Sequence, residues 1–115
     1  MTTAASIVCV DDQAEVRRLL SDSFKSRGSN VVGFDDGEEA ITWLGSNEAD
    51  LAILDLDLGP GKRTGIEICR AIRLRLPDLP IIILTGHGTI DAAITAVNAG
   101  AVDFIPKDPY LEDKR

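Results

Sequence analysis

Apolar residues in this chain fall into short consecutive runs separated by longer stretches in which they recur every three or four positions. The runs Ile7-Val8-Cys9-Val10, Leu51-Ala52-Ile53-Leu54 and Ile81-Ile82-Ile83-Leu84 are apolar at every position, as expected of strands covered on both faces. Val31-Val32-Gly33-Phe34 reads as a further strand. Val102 and Phe104 flank a polar Asp103, an alternation that suits a half-exposed edge strand. Between the runs the period changes. Val16, Leu19, Leu20 and Phe24 form one helical stripe, with Arg17, Arg18, Asp22 and Lys25 on the other face and Gly28 placed to end the helix. Asp36 and Glu39 offer a capping pair for a second helix carrying Ala40, Ile41 and Leu44, closed by Gly45-Ser46-Asn47. Ile68, Cys69 and Ile72 mark a third helix, which Pro77 and Pro80 stop. Ala93, Ala96 and Val97 form the small-residue face of a fourth, stopped near Gly100.

Strand and helix thus alternate five times, which predicts a single α/β domain over residues 1–115 built on a doubly wound five-stranded parallel sheet. Right-handed crossovers put every strand's C-terminal end on one edge, where open α/β sheets carry their sites. The runs end there on chemically active residues: Asp11-Asp12, Asp55, Thr85 and Lys107. Only eight residues follow Lys107, too few for a full helix over the last face. The expectation is a truncated or absent final helix, in the N-terminal part of a longer protein or with that face covered by a partner.

Composition narrows the class. With 44% hydrophobic residues and a mean hydropathy of +0.06, the 115-residue chain is globular rather than disordered. No apolar stretch approaches the ~20 residues needed to span a bilayer, and the start lacks the pattern of a secretory signal; a cytoplasmic protein is expected. A formal net charge of −7 disfavours direct nucleic-acid binding. The basic stretch Lys62, Arg63, Arg70, Arg73 and Arg75 reads as a solvated surface balancing nearby acids. Cys9 and Cys69 lack metal-ligand spacing and read as small buried residues.

Three carboxylates on one edge repel one another: at an effective dielectric of about 20, two unit charges ~4 Å apart cost about 4 kcal/mol. A divalent ion together with Lys107 would offset that charge. Oxygen-only ligands favour Mg²⁺, which keeps several waters and so leaves positions for a phosphoryl group. A carboxylate beside such an ion and an ammonium is suited to accept a phosphoryl group covalently. Asp55, ending a central strand, is the candidate nucleophile. Asp11 and Asp12 are the candidate metal ligands, and Thr85 a donor to a phosphoryl oxygen. Each has an ordinary reading as well: a cap for the first helix, an exposed lysine, a strand terminus.

The order Val-Asp11-Asp12, Leu-Ala-Ile-Leu-Asp55, Ile-Leu-Thr85-Gly and Asp-Phe-Ile-Pro-Lys107 resembles the receiver domain of two-component response regulators. The stretch Thr85-Gly86-His87-Gly88 is similar to receivers of transcriptional activators. The resemblance implies the flavodoxin-like strand order 2-1-3-4-5 and Asp55 as phosphoacceptor. It implies Mg²⁺ on Asp11, Asp12, Asp55 and the backbone carbonyl of Asp57, and Thr85 and Phe104 as switch residues, with Lys107 as charge partner. It also implies a sensor histidine kinase as partner, a signalling switch rather than an enzyme, and a homodimer on phosphorylation. Three departures stand out: a longer loop from Leu56 to Thr64, Asp108 between Lys107 and Pro109, where the family joins Lys to Pro by a cis peptide, and the expected lack of the final helix, which belongs to the family's common dimer surface.

Other motifs in the chain admit other readings. Asp55-Leu-Asp57 is similar to the nucleophile motif of haloacid-dehalogenase-type phosphatases, with Asp57 as general acid and base. Gly59-Pro-Gly61-Lys62-Arg63-Thr64 fails the phosphate-loop template because Leu56 occupies the first glycine position. An unphosphorylated interaction module on the same fold is the third reading. His87 is expected in an exposed loop, and Trp43 packed against a helix neighbour.

Overall fold

In the computed structural model, which describes residues 4–86 and 89–107, five strands form one sheet: β1 (Ser6–Val10), β2 (Asn30–Phe34), β3 (Leu51–Asp55), β4 (Ile81–Thr85) and β5 (Asp103–Pro106). They are all parallel, in the order β2-β1-β3-β4-β5, as expected. Four helices connect them: α1 (Ala14–Lys25), α2 (Gly37–Leu44), α3 (Gly65–Arg75) and α4 (Ile90–Asn98). His87, Asp108, Pro109 and the expected absence of a final helix lie outside the described residues.

The consecutive apolar runs are explained by the two faces they bury. Val8, Val10, Ala52, Leu54, Ile81 and Ile83 belong to the main core with residues of α2, α3 and α4, and each is at most 1% exposed. On the opposite face Ile7, Ile53 and Leu84 pack with Leu20 and Phe24 of α1. Burying one such side chain contributes about 1.5–3 kcal/mol, so a slip of one residue, which would exchange the two faces of a strand, is strongly disfavoured. β5 lies at the sheet edge, with Asp103 exposed and Phe104 half-buried against the main core.

The helices depart from the sequence reading in four details. Val16 is buried while Leu19, a neighbour of Leu20 about 100° further round the helix, is 40% exposed. Arg17 does not stand in solvent; its Nη1 donates to the Asp11 carbonyl at 2.6 Å. Asp36 does cap α2, but its carboxylate accepts from the Glu38 amide at 2.8 Å and forms no box with Glu39. The capping box belongs instead to α3, where Thr64 accepts from the Glu67 amide and Glu67 accepts from the Thr64 amide. Trp43 packs on a strand residue, Phe34, with ring centroids 6.2 Å apart. Gly28 does close α1, at φ +85°, in the turn through which Ser29 N–H donates to the Phe24 carbonyl.

Candidate functional site

Register brings the candidate residues together. Val10 pairs with Leu54, Asp55 with Leu84, and Thr85 with Pro106. Asp11 and Asp55 therefore sit level, Thr85 one residue beyond them and Lys107 two, across four strands spaced ~4.8 Å apart. Asp11, Asp55 and Thr85 are the buried polar residues of the described chain, at 1%, 5% and 3% exposure. With Asp12 and Asp57 at its mouth, this edge opens as a crevice of about 690 Å³.

Backbone contacts fix each residue. The Asp11 amide donates to the Phe34 carbonyl at 3.0 Å, and its Oδ1 accepts from the Gln13 amide at 2.9 Å. Gln13 is the N-cap of α1 and makes no side-chain cap, so neither Asp11 nor Asp12 is the helix's N-cap residue. Asp55 is held by the strand and by Gly65, whose amide donates to the Leu56 carbonyl at 2.9 Å. A Cβ at Gly65 would stand 2.2 Å from the Asp55 carbonyl oxygen, an approach only glycine permits. The Lys107 amide donates to the Thr85 carbonyl, seating the last residue of the site on β4. Its Nζ then reaches inward, 3.2 Å from Asp11 Oδ2 and 3.4 Å from Asp55 Oδ2, with only 8% of the side chain exposed. The exposed-lysine reading of Lys107 is thereby excluded.

The charges are strongly coupled. Burial and then the charge of Asp11 push the Asp55 carboxyl up to about 6, against the opposing pull of Lys107 and the Asp57 amide. Burial works against the Lys107 ammonium, but the Asp11 and Asp55 carboxylates prevail and hold it above the usual lysine range. Burial, then the nearby Asp11, pushes the Cys9 thiol up to about 12, so this cysteine is an inert packing residue. Cys69 is equally buried, its Sγ 3.6 Å from the Ala99 carbonyl.

Carboxylate oxygens of Asp11, Asp12 and Asp55 lie within 4.8 Å of one another. Asp11 Oδ2 is buried with no hydrogen-bond partner; its 3.2 Å approach to Lys107 is an ion pair without hydrogen-bond alignment. A buried anionic oxygen that lacks a hydrogen bond, set among hard oxygen donors, is an environment a divalent cation satisfies, so these residues fit a metal ion. Asp57 faces differently. Its Oδ1 accepts from the Gly59 amide at 3.0 Å, turned back into its own loop. That does not favour the general acid a phosphatase mechanism asks of it.

Sequence reasoning passed over Arg17, Thr64 and Gly65. The Thr64-x-x-Glu67 spacing was the legible signal for one of them. The close approach at Gly65 and the inward turn of Arg17 depend on tertiary contacts and left no local mark.

A buried carboxylate, an acidic pair suited to a cation and a cationic partner gather at the C-terminal edge of a 2-1-3-4-5 sheet, an arrangement that can take up a phosphoryl group. The sequence model of the response regulator receiver domain matches residues 7–113, and the chain belongs to that family. It is 35% identical over 114 residues to the C4-dicarboxylate transport transcriptional regulatory protein DctD of Rhizobium meliloti, covering 99% of this chain and 24% of that protein. Among solved structures, NtrX of Brucella abortus superposes at a TM-score of 0.83 with 31% identity, over 90% of this chain and 23% of that one. A response regulator of Burkholderia pseudomallei, solved with a phosphorylated aspartic acid, a calcium ion and citrate, gives 0.83 with 26% identity over 90% of this chain and 59% of that one. The chain thus spans about a quarter of the length of the DctD relative it matches. Receiver domains are the signalling switches of two-component systems. Among the described residues no helix is long and apolar enough to cross a membrane.

Proposed function

We propose that Asp55 accepts a phosphoryl group from the phosphohistidine of a sensor histidine kinase, and that the modified chain signals to an output such as transcription. The observation that carries the assignment is the placement of Asp55 at the end of the central β3, buried between Asp11 and the Lys107 ammonium. One Asp55 carboxylate oxygen forms the new O–P bond while the bond from phosphorus to the donor nitrogen breaks, its electron pair staying with the nitrogen. Asp11, Asp12 and Asp55, with the Asp57 carbonyl, are the residues that hold Mg²⁺ in this reading. Bound there, Mg²⁺ supplies positive charge to the phosphoryl oxygens. Lys107 supports the same charge from the other side, and the Thr85 hydroxyl donates to a phosphoryl oxygen.

Phosphorylation adds charge at the ends of β3 and β4, drawing on Thr85 and Lys107 and shifting a conformational equilibrium at α4 and β5, with Phe104 as the aromatic reporter of that shift. The chain acts as a cytoplasmic switch and not as a turnover catalyst. It forms one domain, the receiver part of a longer regulator; phosphorylation favours a homodimer, and any contact with nucleic acid falls to other parts of the protein. Treatment with acetyl phosphate or beryllofluoride plus Mg²⁺, followed by mapping of the modified residue, tests the assignment. A folded sample that shows no Mg²⁺-dependent modification at Asp55 refutes it.

A further inference from the structure

The longer loop between β3 and α3 is fastened at its far end and walls the crevice at its near end. Gly59 and Pro60 line the crevice, and a Cβ at Gly59, whose φ is +106°, would make ordinary van der Waals contact with Asp12 Oδ2 at 3.9 Å. Leu58 is 3% exposed in the main core, which anchors the loop near its β3 end. Beyond a second left-handed glycine, Gly61 at φ +77°, the chain reaches the first turn of α2. There Arg63 Nε and Nη2 grip the Glu38 carboxylate at 2.6 and 2.8 Å, a bidentate pair, and Lys62 Nζ lies 3.5 Å from Asp36 Oδ2. The pairing is reciprocal in its electrostatics. The Arg63 hydrogen bond holds the Glu38 carboxyl below its usual range, and the Glu38 amide followed by Lys62 does the same for Asp36. Asp36 also caps α2, so one short segment of α2 holds two successive cations of the loop.

We infer that Glu38 and Arg63, with Asp36 and Lys62, are positioning residues that strap the Gly59–Pro60 wall in place and thereby select the size of phosphoryl donor that reaches Asp55. The inference rests on Asp55 as the acceptor. The strap does not touch the reacting atoms. It acts by limiting the space beside Asp12 through which a donor's leaving group departs: as the Asp55 O–P bond forms, the P–O bond of an acyl phosphate breaks and the carboxylate leaves with the electron pair. A bulky leaving group needs the wall to move, and a small one does not.

The test compares acetyl phosphate with the bulkier benzoyl phosphate as donors, in Mg²⁺, for the wild type, Arg63→Ala, Glu38→Gln and the charge-exchanged pair Glu38→Arg with Arg63→Glu. Modification of Asp55 is followed by mass spectrometry. In the wild type acetyl phosphate reacts faster. Either single variant narrows the ratio of the two rates by about two- to fivefold, the scale set by an exposed ion pair, and the exchanged pair restores it. High salt narrows the wild-type ratio in the same direction. These side chains are about half-exposed, so the variants fold, and a urea titration of each separates a selective effect from a loss of stability. Labelling at Asp55 with an unchanged donor ratio in both single variants overturns the strap alone. Absence of labelling at Asp55 in the folded wild type overturns the acceptor assignment, and the strap with it.

Discussion

Replacing Asp55 by Asn stabilises the metal-free protein at neutral pH. The native carboxyl is buried beside Asp11 and pushed up to about 6 from its ordinary 3.8, so between those values the folded chain holds a proton that the unfolded chain has released. Stability therefore falls as pH rises from 3.8 to 6 and stays reduced above that. The cost at pH 7.5 is roughly 1–3 kcal/mol. The upper end follows from about 1.36 kcal/mol per pH unit across that window, and the lower allows for the crevice's contact with water. Asn keeps the shape without the charge, and Lys107 keeps Asp11 as partner at 3.2 Å. With a urea dependence of about 1–3 kcal/mol/M, the unfolding midpoint moves up by roughly 0.5–2 M in EDTA. Below pH ~3.8 Asp55 is protonated in both states, and the advantage of Asn vanishes. Urea titrations of both proteins across pH 3.5–7.5 decide the matter. A midpoint difference that is absent at pH 7.5, or that is equally large at pH 3.5, refutes the electrostatic account. Added Mg²⁺ stabilises the wild type more than the Asn variant, because one of its carboxylates has gone.

Three further outcomes follow from the same geometry. Lys107→Met removes the nearest cation from Asp55, and the acceptor's carboxyl titrates above 6 by carbon NMR; a value that falls or stays put contradicts the ion pair at 3.4 Å. Gly65→Ala forces a Cβ against the Asp55 carbonyl. It lowers stability by about 2 kcal/mol or more, roughly 8 °C in melting temperature, while slowing modification of Asp55; a melting temperature within a degree or two of wild type rules out the close approach. Thr64→Ala costs about 1 kcal/mol by opening the capping box of α3, and Thr64→Ser retains most of it; equal losses in both, read by thermal unfolding, would show that the hydroxyl's bond to the Glu67 amide contributes little.

Much of the site was legible because it is written at strand ends. The runs ending in Asp55 and Thr85 terminate in the structure where the apolar pattern stops, and parallel pairing then carries their ends to one edge. Lys107 was legible as a charge partner at this edge, but how deeply its ammonium is buried was not. Its local sequence is that of an ordinary exposed lysine, and only the approach of two buried carboxylates from β1 and β3 gives the ammonium a reason to leave water. The ion pairs of Lys62 and Arg63 were foreseen as charge balance, without their partners: 26 and 25 residues separate them from Asp36 and Glu38.

The sequence by itself determined the class of fold and which charged groups end the strands, since period and apolar continuity depend on local geometry. Tertiary structure alone decided how those groups share charge. The pairing register sets which carboxylate feels which, burial lifts Asp55 far above its free value, and the packing of α3 against β3 leaves room at Gly65 for no side chain. These are effects of distance and dielectric between segments far apart in the chain, and no local pattern encodes them.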